Sequence, residues 1–314
     1  MARDLTPLLP IGTIPQDAEI CVISPASYAT AERMQRGLER LVALGYWPRC
    51  TAHTQARGPL YFAGTQEQRL KDLHAAFNDP HARIVASVRG GYGSNYLLAG
   101  LDLELIRRHP KPFLAYSDLT GIQLHLLDTL GLPAFHGPMV AADFYLDDGV
   151  HLASLKAALG GIPYAVGKDE GLRPLKAGKA RGVLYGGCIS MLASLLGTRW
   201  EPRTEGKLLF LEDTGVKPYQ LDRMLWQLRN AGKFDGVKGI VFGEMLDCAS
   251  QGASDDLLCH AVAQALDGID VPMAIGLRSG HVSRQNVTLT FGAQAELEVD
   301  SDVRLTLLEP VVHP

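Results

Sequence analysis

In the run Phe113-Leu114-Ala115-Tyr116-Ser117-Asp118-Leu119-Thr120, an apolar stretch ends in a serine and a helical pattern begins at once. Leu119, Ile122, Leu126 and Leu130 recur at helical spacing, and Asp118 and Thr120 are suited to cap the first turn. A serine at a strand-to-helix corner is held out from the backbone beside the free N–H groups of the new helix, the placement of a hydrolytic nucleophile. The same residue could act only as a helix cap. Serine chemistry also needs a base and a group that orients the base. Glu212 ends the apolar run Leu208-Leu209-Phe210-Leu211, beside Asp213 and before Thr214-Gly215. Strand ends are where α/β folds mount site residues, although either carboxylate would otherwise read as a solvated loop group. His281 lies in the polar loop Arg278-Ser279-Gly280-His281-Val282-Ser283-Arg284, and loops often carry catalytic residues. His136, in Phe135-His136-Gly137-Pro138, is its rival as base, whereas His125 and His151 fall in helix-like segments and read as surface or packing residues.

A second chemical signal is Arg89-Gly90-Gly91-Tyr92-Gly93-Ser94, set between a strand pattern and a helix pattern. Adjacent glycines let backbone N–H groups converge on an anion. The run lacks the Gly-x-Gly-x-x-Gly of a dinucleotide site and the Gly-Lys-Ser/Thr of a P-loop. An oxyanion-binding turn or a plain tight turn remains. No His-Glu-x-x-His, Cys/His cluster or calcium-loop spacing points to a metal. Cys188, in Gly186-Gly187-Cys188-Ile189-Ser190, leads into an apolar run and reads as a packed thiol rather than a nucleophile.

These residues must be positioned by the elements around them. The first half alternates strand and helix signals: a strand at 19–24, a helix over 31–44 capped by Thr30 and stopped by Gly45, and a capping box Thr65-Gln66-Glu67-Gln68. That box opens a helix with Leu70, Leu73 and Phe77 on one face, followed by strands at 83–88 and 112–116 and a helix over 119–130. Strands separated by helices imply crossover connections and a mostly parallel, helix-covered sheet. Glycines and prolines punctuate 160–179, which reads as a linker. Beyond it the pattern predicts a strand at 207–211, helices over 220–230 and 254–266, a strand at 239–242, and a β-rich C-terminus opening at Val287-Thr288-Leu289-Thr290-Phe291. The expected fold class is α/β, with a Rossmann-like domain over 1–170 and a β-rich domain over 171–314.

Composition narrows the function classes. Of 314 residues, 46% are apolar and 20% charged, as in an ordinary globular protein, and the length suffices for two buried cores. A formal net charge of -4 with no basic run argues against nucleic-acid binding. No window approaches the roughly 20 apolar residues of a membrane helix, and Met1-Ala2-Arg3-Asp4-Leu5-Thr6-Pro7 lacks the features of a signal peptide. Cys21, Cys50, Cys188, Cys248 and Cys259 are odd in number and scattered, which suits reduced thiols in a cytoplasm.

Seven segments in order resemble the LD-carboxypeptidase family of serine peptidases, its murein tetrapeptide branch in particular. They are Tyr61-Phe62-Ala63-Gly64-Thr65, Val88-Arg89-Gly90-Gly91-Tyr92-Gly93, Tyr116-Ser117-Asp118-Leu119-Thr120, Phe135-His136-Gly137-Pro138-Met139, Gly182-Val183-Leu184-Tyr185-Gly186-Gly187, Leu211-Glu212-Asp213 with Asp222-Arg223-Met224-Leu225, and Gly280-His281. The resemblance implies Ser117 as nucleophile, His281 as base and Glu212 as its orienting carboxylate, with the backbone N–H groups of Gly91 and Asp118 as oxyanion hole. It implies a Rossmann-like N-terminal domain bearing the serine, a β-rich C-terminal domain bearing Glu212 and His281, a homodimer, and no cofactor or metal. The expected substrate is a murein peptide cut between its L-diaminopimelate (or L-lysine) centre and terminal D-alanine. Arg89 is the candidate partner for the leaving group's carboxylate, beside Gly90; a salt bridge bracing the turn is the alternative for Arg89. Family members usually carry Asn and Leu where this chain has Cys188 and Ile189. Two other readings remain: a family peptidase cleaving microcin-type acyl-adenylates, and a non-catalytic muropeptide-binding protein on the same fold.

Overall fold

The computed structural model describes residues 6–248 and 255–313. The first five residues, and the Ser254 start expected for one helix, lie outside them. Through the first half, β1 (Ile11–Gly12), β2 (Glu19–Ile23), α1 (Ala31–Ala43), β3 (Trp47–Cys50), α2 (Gln66–Asn78), β4 (Ala82–Ser87), α3 (Leu103–Arg108), β5 (Phe113–Ala115), α4 (Thr120–Leu130) and β6 (Ala134–His136) follow in turn. Then come α5 (Leu152–Gly160), β7 (Tyr164–Val166), β8 (Arg173–Lys176), β9 (Gly178–Cys188), α6 (Ile189–Ser194), β10 (Lys207–Glu212), α7 (Pro218–Asn230), β11 (Gly239–Gly243) and α8 (Asp255–Ala265). The chain closes with β12 (Met273–Leu277), β13 (Leu289–Phe291), β14 (Gln294–Val299), β15 (Val303–Leu307) and β16 (Val312–His313).

Local signals explain the helices that frame the site. Thr30 caps α1 through Arg33 N–H at 3.3 Å, and Met34 and Leu41 turn inward. Gly37 lets α1 lie against the backbone of Val140, because a Cβ there would sit 2.0 Å from the Val140 oxygen. Thr65 and Gln68 exchange the two hydrogen bonds of a capping box at the start of α2.

Two sheets result. One has the order β13-β6-β5-β4-β2-β3 and is parallel except for β13, which runs antiparallel to β6. The other has the order β7-β15-β14-β9-β10-β11-β12-β8, with a parallel centre from β9 to β12 and antiparallel strands on both flanks. The expected linker at 160–179 is instead occupied by β7, β8 and the start of β9. β7 and β8 are the two edge strands of the larger sheet, where short length and Pro174 are tolerated and leave little periodicity to read. The loop after β12 leaves the larger sheet and re-enters the smaller one as β13, where Leu289 pairs with His136. His281 is therefore strapped between the two sheets. Among the described residues no helix is long and apolar enough to cross a membrane.

Candidate active site

Ser117 follows β5 by two positions and begins one turn of 3₁₀ helix that runs into α4. Its φ of +65° is left-handed, a conformation that costs a non-glycine residue roughly 1–2 kcal/mol. No side-chain cap hydrogen bond forms at either helix start here, so Ser117 is not serving as a cap. Nor do Asp118 and Thr120 cap as their types suggest. The Asp118 carboxylate accepts from Ser94 N–H at 2.8 Å, while Thr120 Oγ1 donates to the Ser117 carbonyl at 2.7 Å and accepts from Cys188 N–H at 3.2 Å. A distant N–H takes the Asp118 carboxylate, while the Thr120 hydroxyl serves both its own turn and the distant Cys188 N–H.

The glycine run lies directly on the serine. A Cβ at Gly90 would sit 2.8 Å from Ser117 Cβ, 2.9 Å from its Oγ and 3.3 Å from Asp118 N. Gly91 has a φ of +112° and packs on Ser27, whose Oγ accepts from Tyr92 N–H at 3.1 Å. Among the described residues the Gly91 N–H has no acceptor, and Asp118 lies in a first helical turn, where N–H groups are left unpaired. Arg89 is exposed and forms no ion pair among the described residues, so no salt bridge is seen bracing the turn.

Glu212 and His281 meet. Glu212, fully buried at the end of β10, accepts from His281 Nδ1 at 2.7 Å and from the His281 backbone N–H at 3.0 Å, both through Oε2. Gly280, left-handed at φ +88°, lets the loop press on the carboxyl: a Cβ there would be 2.6 Å from Glu212 Cδ. Burial pushes the Glu212 carboxyl up, but the His281 charge and hydrogen bonds outweigh it and hold the group below its ordinary value. Burial likewise pushes the imidazole down, and Glu212, aided by Asp213 and Asp143, outweighs that and raises it. Nδ1 faces a carboxylate acceptor and so carries the proton, which leaves Nε2 as the basic nitrogen. The His281 ring stands edge-on to the Tyr116 ring, centroids 5.1 Å apart, one residue before Ser117. Among the described residues no hydrogen bond joins Ser117 to His281; such bonds often tighten only when substrate binds.

The rival groups are placed elsewhere. His136 is buried among the rings of Tyr116, Phe210 and Phe291, neither ring nitrogen has a partner, and burial holds it down at about 4. It is neutral at physiological pH and closed to solvent. Asp213 is committed to Ser190 N–H and Thr214 N–H. Cys188 pairs with Glu212 across β9 and β10, is 4% exposed, and has a thiol pushed well above its ordinary value by burial and the Asp213 and Glu212 charges. None of Tyr116, Asp143 and Asn286 in this neighbourhood is singled out as a candidate from the sequence. The one signal passed over there is Asp143, an acid inside the apolar run Val140-Ala141-Ala142-Asp143-Phe144.

The sequence and the parallel-centred α/β fold are both matched by known proteins. The LD-carboxypeptidase N-terminal domain matches residues 20–137 and its C-terminal domain residues 181–297. The chain belongs to the LD-carboxypeptidase family. A probable murein peptide carboxypeptidase of Bacillus subtilis is 36% identical over 282 residues, spanning 88% of this chain and 87% of the relative. The crystal structure of a muramoyltetrapeptide carboxypeptidase from Oxalobacter formigenes superposes with a TM-score of 0.82 at 28% identity, over 93% of this chain and 99% of that one. The microcin C7 self-immunity protein of Escherichia coli is 25% identical over 310 residues, 88% of this chain and 89% of that protein.

Proposed function

We propose that the chain is a serine LD-carboxypeptidase that hydrolyses the bond between the L-centre of diaminopimelate (or lysine) and the terminal D-alanine of murein tetrapeptides, in cell-wall recycling. The observation that carries this reading is the Glu212–His281 pair, 2.7 Å apart and seated on Tyr116, beside a left-handed Ser117. His281 Nε2 takes the Ser117 proton as Oγ attacks the scissile carbonyl, then gives it to the departing D-alanine amine. Glu212 holds the tautomer and stabilises the imidazolium. The Gly91 and Asp118 N–H groups receive the oxyanion, a contribution of roughly 3 kcal/mol per donor in comparable sites. Water, activated by the same histidine, then releases the acyl group from Ser117.

Arg89, exposed at the head of the turn, binds the leaving group's carboxylate, and Gly90 leaves room for the reacting carbonyl beside Oγ. The chain works as a homodimer in the cytoplasm; the family resemblance and the scattered, unbridged cysteines support this part of the proposal. One observation favours a second reading, cleavage of acyl-adenylates: Tyr61 and Tyr92 stand exposed beside the glycine turn with rings 4.9 Å apart, a surface on which a nucleobase could stack. The greater identity to the murein peptide carboxypeptidase weighs the other way.

The test incubates purified protein and its Ser117→Ala variant with L-Ala-γ-D-Glu-diaminopimelate-D-Ala and follows D-alanine by mass spectrometry. Serine-dependent release is expected. Tetrapeptide left intact by folded protein, with a peptidyl-adenylate cut instead, would replace this reading by the second; tight binding of uncut tetrapeptide would make it a binding protein.

A further inference from the structure

A buried polar link joins the two halves of the molecule behind the imidazole, and the chemistry above makes no use of it. Asp143 lies in the short turn Val140–Phe144 and Asn286 in the loop between His281 and β13; both are buried. Asp143 Oδ2 accepts from Met139 N–H at 2.8 Å, and Oδ1 accepts from Asn286 Nδ2 at 3.0 Å and Tyr116 Oη at 3.3 Å. Asn286 Nδ2 donates its second proton to the Gly280 carbonyl at 3.0 Å, and Asn286 Oδ1 accepts from Gly280 N–H at 3.0 Å. An ionised carboxylate only accepts, so Asp143 permits one orientation of the Asn286 amide. In that orientation the amide closes on both backbone groups of Gly280. The Asn286 backbone is itself tied down, donating to the Gly149 carbonyl at 2.9 Å and accepting from His151 N–H at 3.1 Å.

We propose that Asp143 and Asn286 are positioning residues for the hydrolysis, fixing the Gly280–His281 backbone and the Tyr116 ring so that the imidazole is held at a set distance from Ser117. The inference rests on the function proposed above. Gly280 bears directly on the Glu212 carboxyl, so a shift of its backbone moves both members of the Glu–His pair. Tyr116 Oη is held by the same Asp143 oxygen, and its ring is the surface on which His281 stands. One carboxylate thus governs the base and its support together. Tyr116 and His281 are the titratable groups acting on Asp143, and burial raises its carboxyl to about 6, so the acceptor is ionised at neutral pH. A fully satisfied buried network of this kind rigidifies what it holds, and misplacement by about 1 Å can cost about 100-fold in rate.

Asn286→Ala and Asp143→Asn are compared with wild type by three readouts: kcat and KM for D-alanine release from murein tetrapeptide, the rate at which a fluorophosphonate labels Ser117, and the His281 pKa by NMR. Asn286→Ala is expected to lower kcat and the labelling rate by about 10- to 100-fold with KM within about twofold. Asp143→Asn, which keeps the shape and removes the charge, is expected to lower both rates by a smaller factor and to lower the His281 pKa. Wild-type kcat and labelling in folded Asn286→Ala would overturn the proposal, as would a loss confined to KM or to thermal stability. Should Asn286→Ala fail to fold, unchanged labelling and an unchanged His281 pKa in Asp143→Asn would overturn it. Wild-type protein that labels at Ser117 but leaves tetrapeptide intact defeats the murein reading alone, and the labelling ratios still decide the role of Asp143 and Asn286.

Discussion

Glu212→Gln isolates the charge of the buried carboxyl from its shape. Glu212 has no exposed surface and accepts both its hydrogen bonds from His281, so the substitution changes what the imidazole feels and little that a substrate touches. In the proposed transition state His281 becomes an imidazolium with its charge about 4 Å from that of the carboxylate, worth about 4 kcal/mol at an effective dielectric constant near 20. At 1.36 kcal/mol per decade this predicts a fall in kcat of about 10³-fold. Loss of the preferred Nδ1–H tautomer extends the expected range to about 10⁴-fold. KM should stay within about threefold, because the lost interaction grows only as charge develops. The pH at which the acid limb of kcat/KM falls should move downward, since the carboxylate that raises the imidazole is gone. The assay is D-alanine release by folded Glu212→Gln and wild type between pH 5 and 9. A loss under tenfold, or an unmoved acid limb, would refute the reasoning that Glu212 acts through charge on His281.

Other substitutions probe separate parts of the site. Ser117→Gly and Ser117→Ala should both be inactive, but glycine relieves the left-handed backbone, so Ser117→Gly should be more stable by about 1 kcal/mol in urea unfolding; equal stabilities would count against the strain. Gly90→Ala introduces no left-handed strain yet places a methyl 2.9 Å from Ser117 Oγ, and kcat should fall at least about 100-fold with only a few degrees lost in Tm. Cys188→Ala should keep kcat within about threefold, and iodoacetamide at pH 8 should leave Cys188 unmodified, because burial raises its thiol and covers it. The raised His281 pKa gives a stability contribution present in full below the unfolded value near 6.5 and lost as pH rises through the folded value. The stability margin of wild type over His281→Gln should therefore shrink from pH 6 to pH 9, and a margin that grows would contradict the sign.

Local chemistry along the chain determined the elements and the candidate groups. The Thr65–Gln68 box, the Thr30 cap and the apolar spacing of Leu119 to Leu130 depend on neighbours within a turn or two, and the corresponding helices form where those signals stand. Ser117, Glu212 and His281 were legible as candidates because each sits at an element boundary or in a glycine-bearing loop, where α/β folds mount polar groups. The edge strands β7 and β8 were not legible, since an edge strand needs neither alternation nor freedom from proline. Only the tertiary structure separates the surroundings of His281 from those of His136. Both are histidines beside glycines, but β6 buries His136 among aromatic rings, whereas the crossing from β12 to β13 carries His281 onto Glu212. It also took Asp118 and Thr120 from their expected caps to partners in distant segments, Ser94 and Cys188. The link from Asp143 to Asn286 spans 143 positions of chain and leaves no trace in spacing or composition. Periodicity records what a residue needs from its own helix or strand; burial and long-range hydrogen bonds depend on which distant segments the sheets bring together.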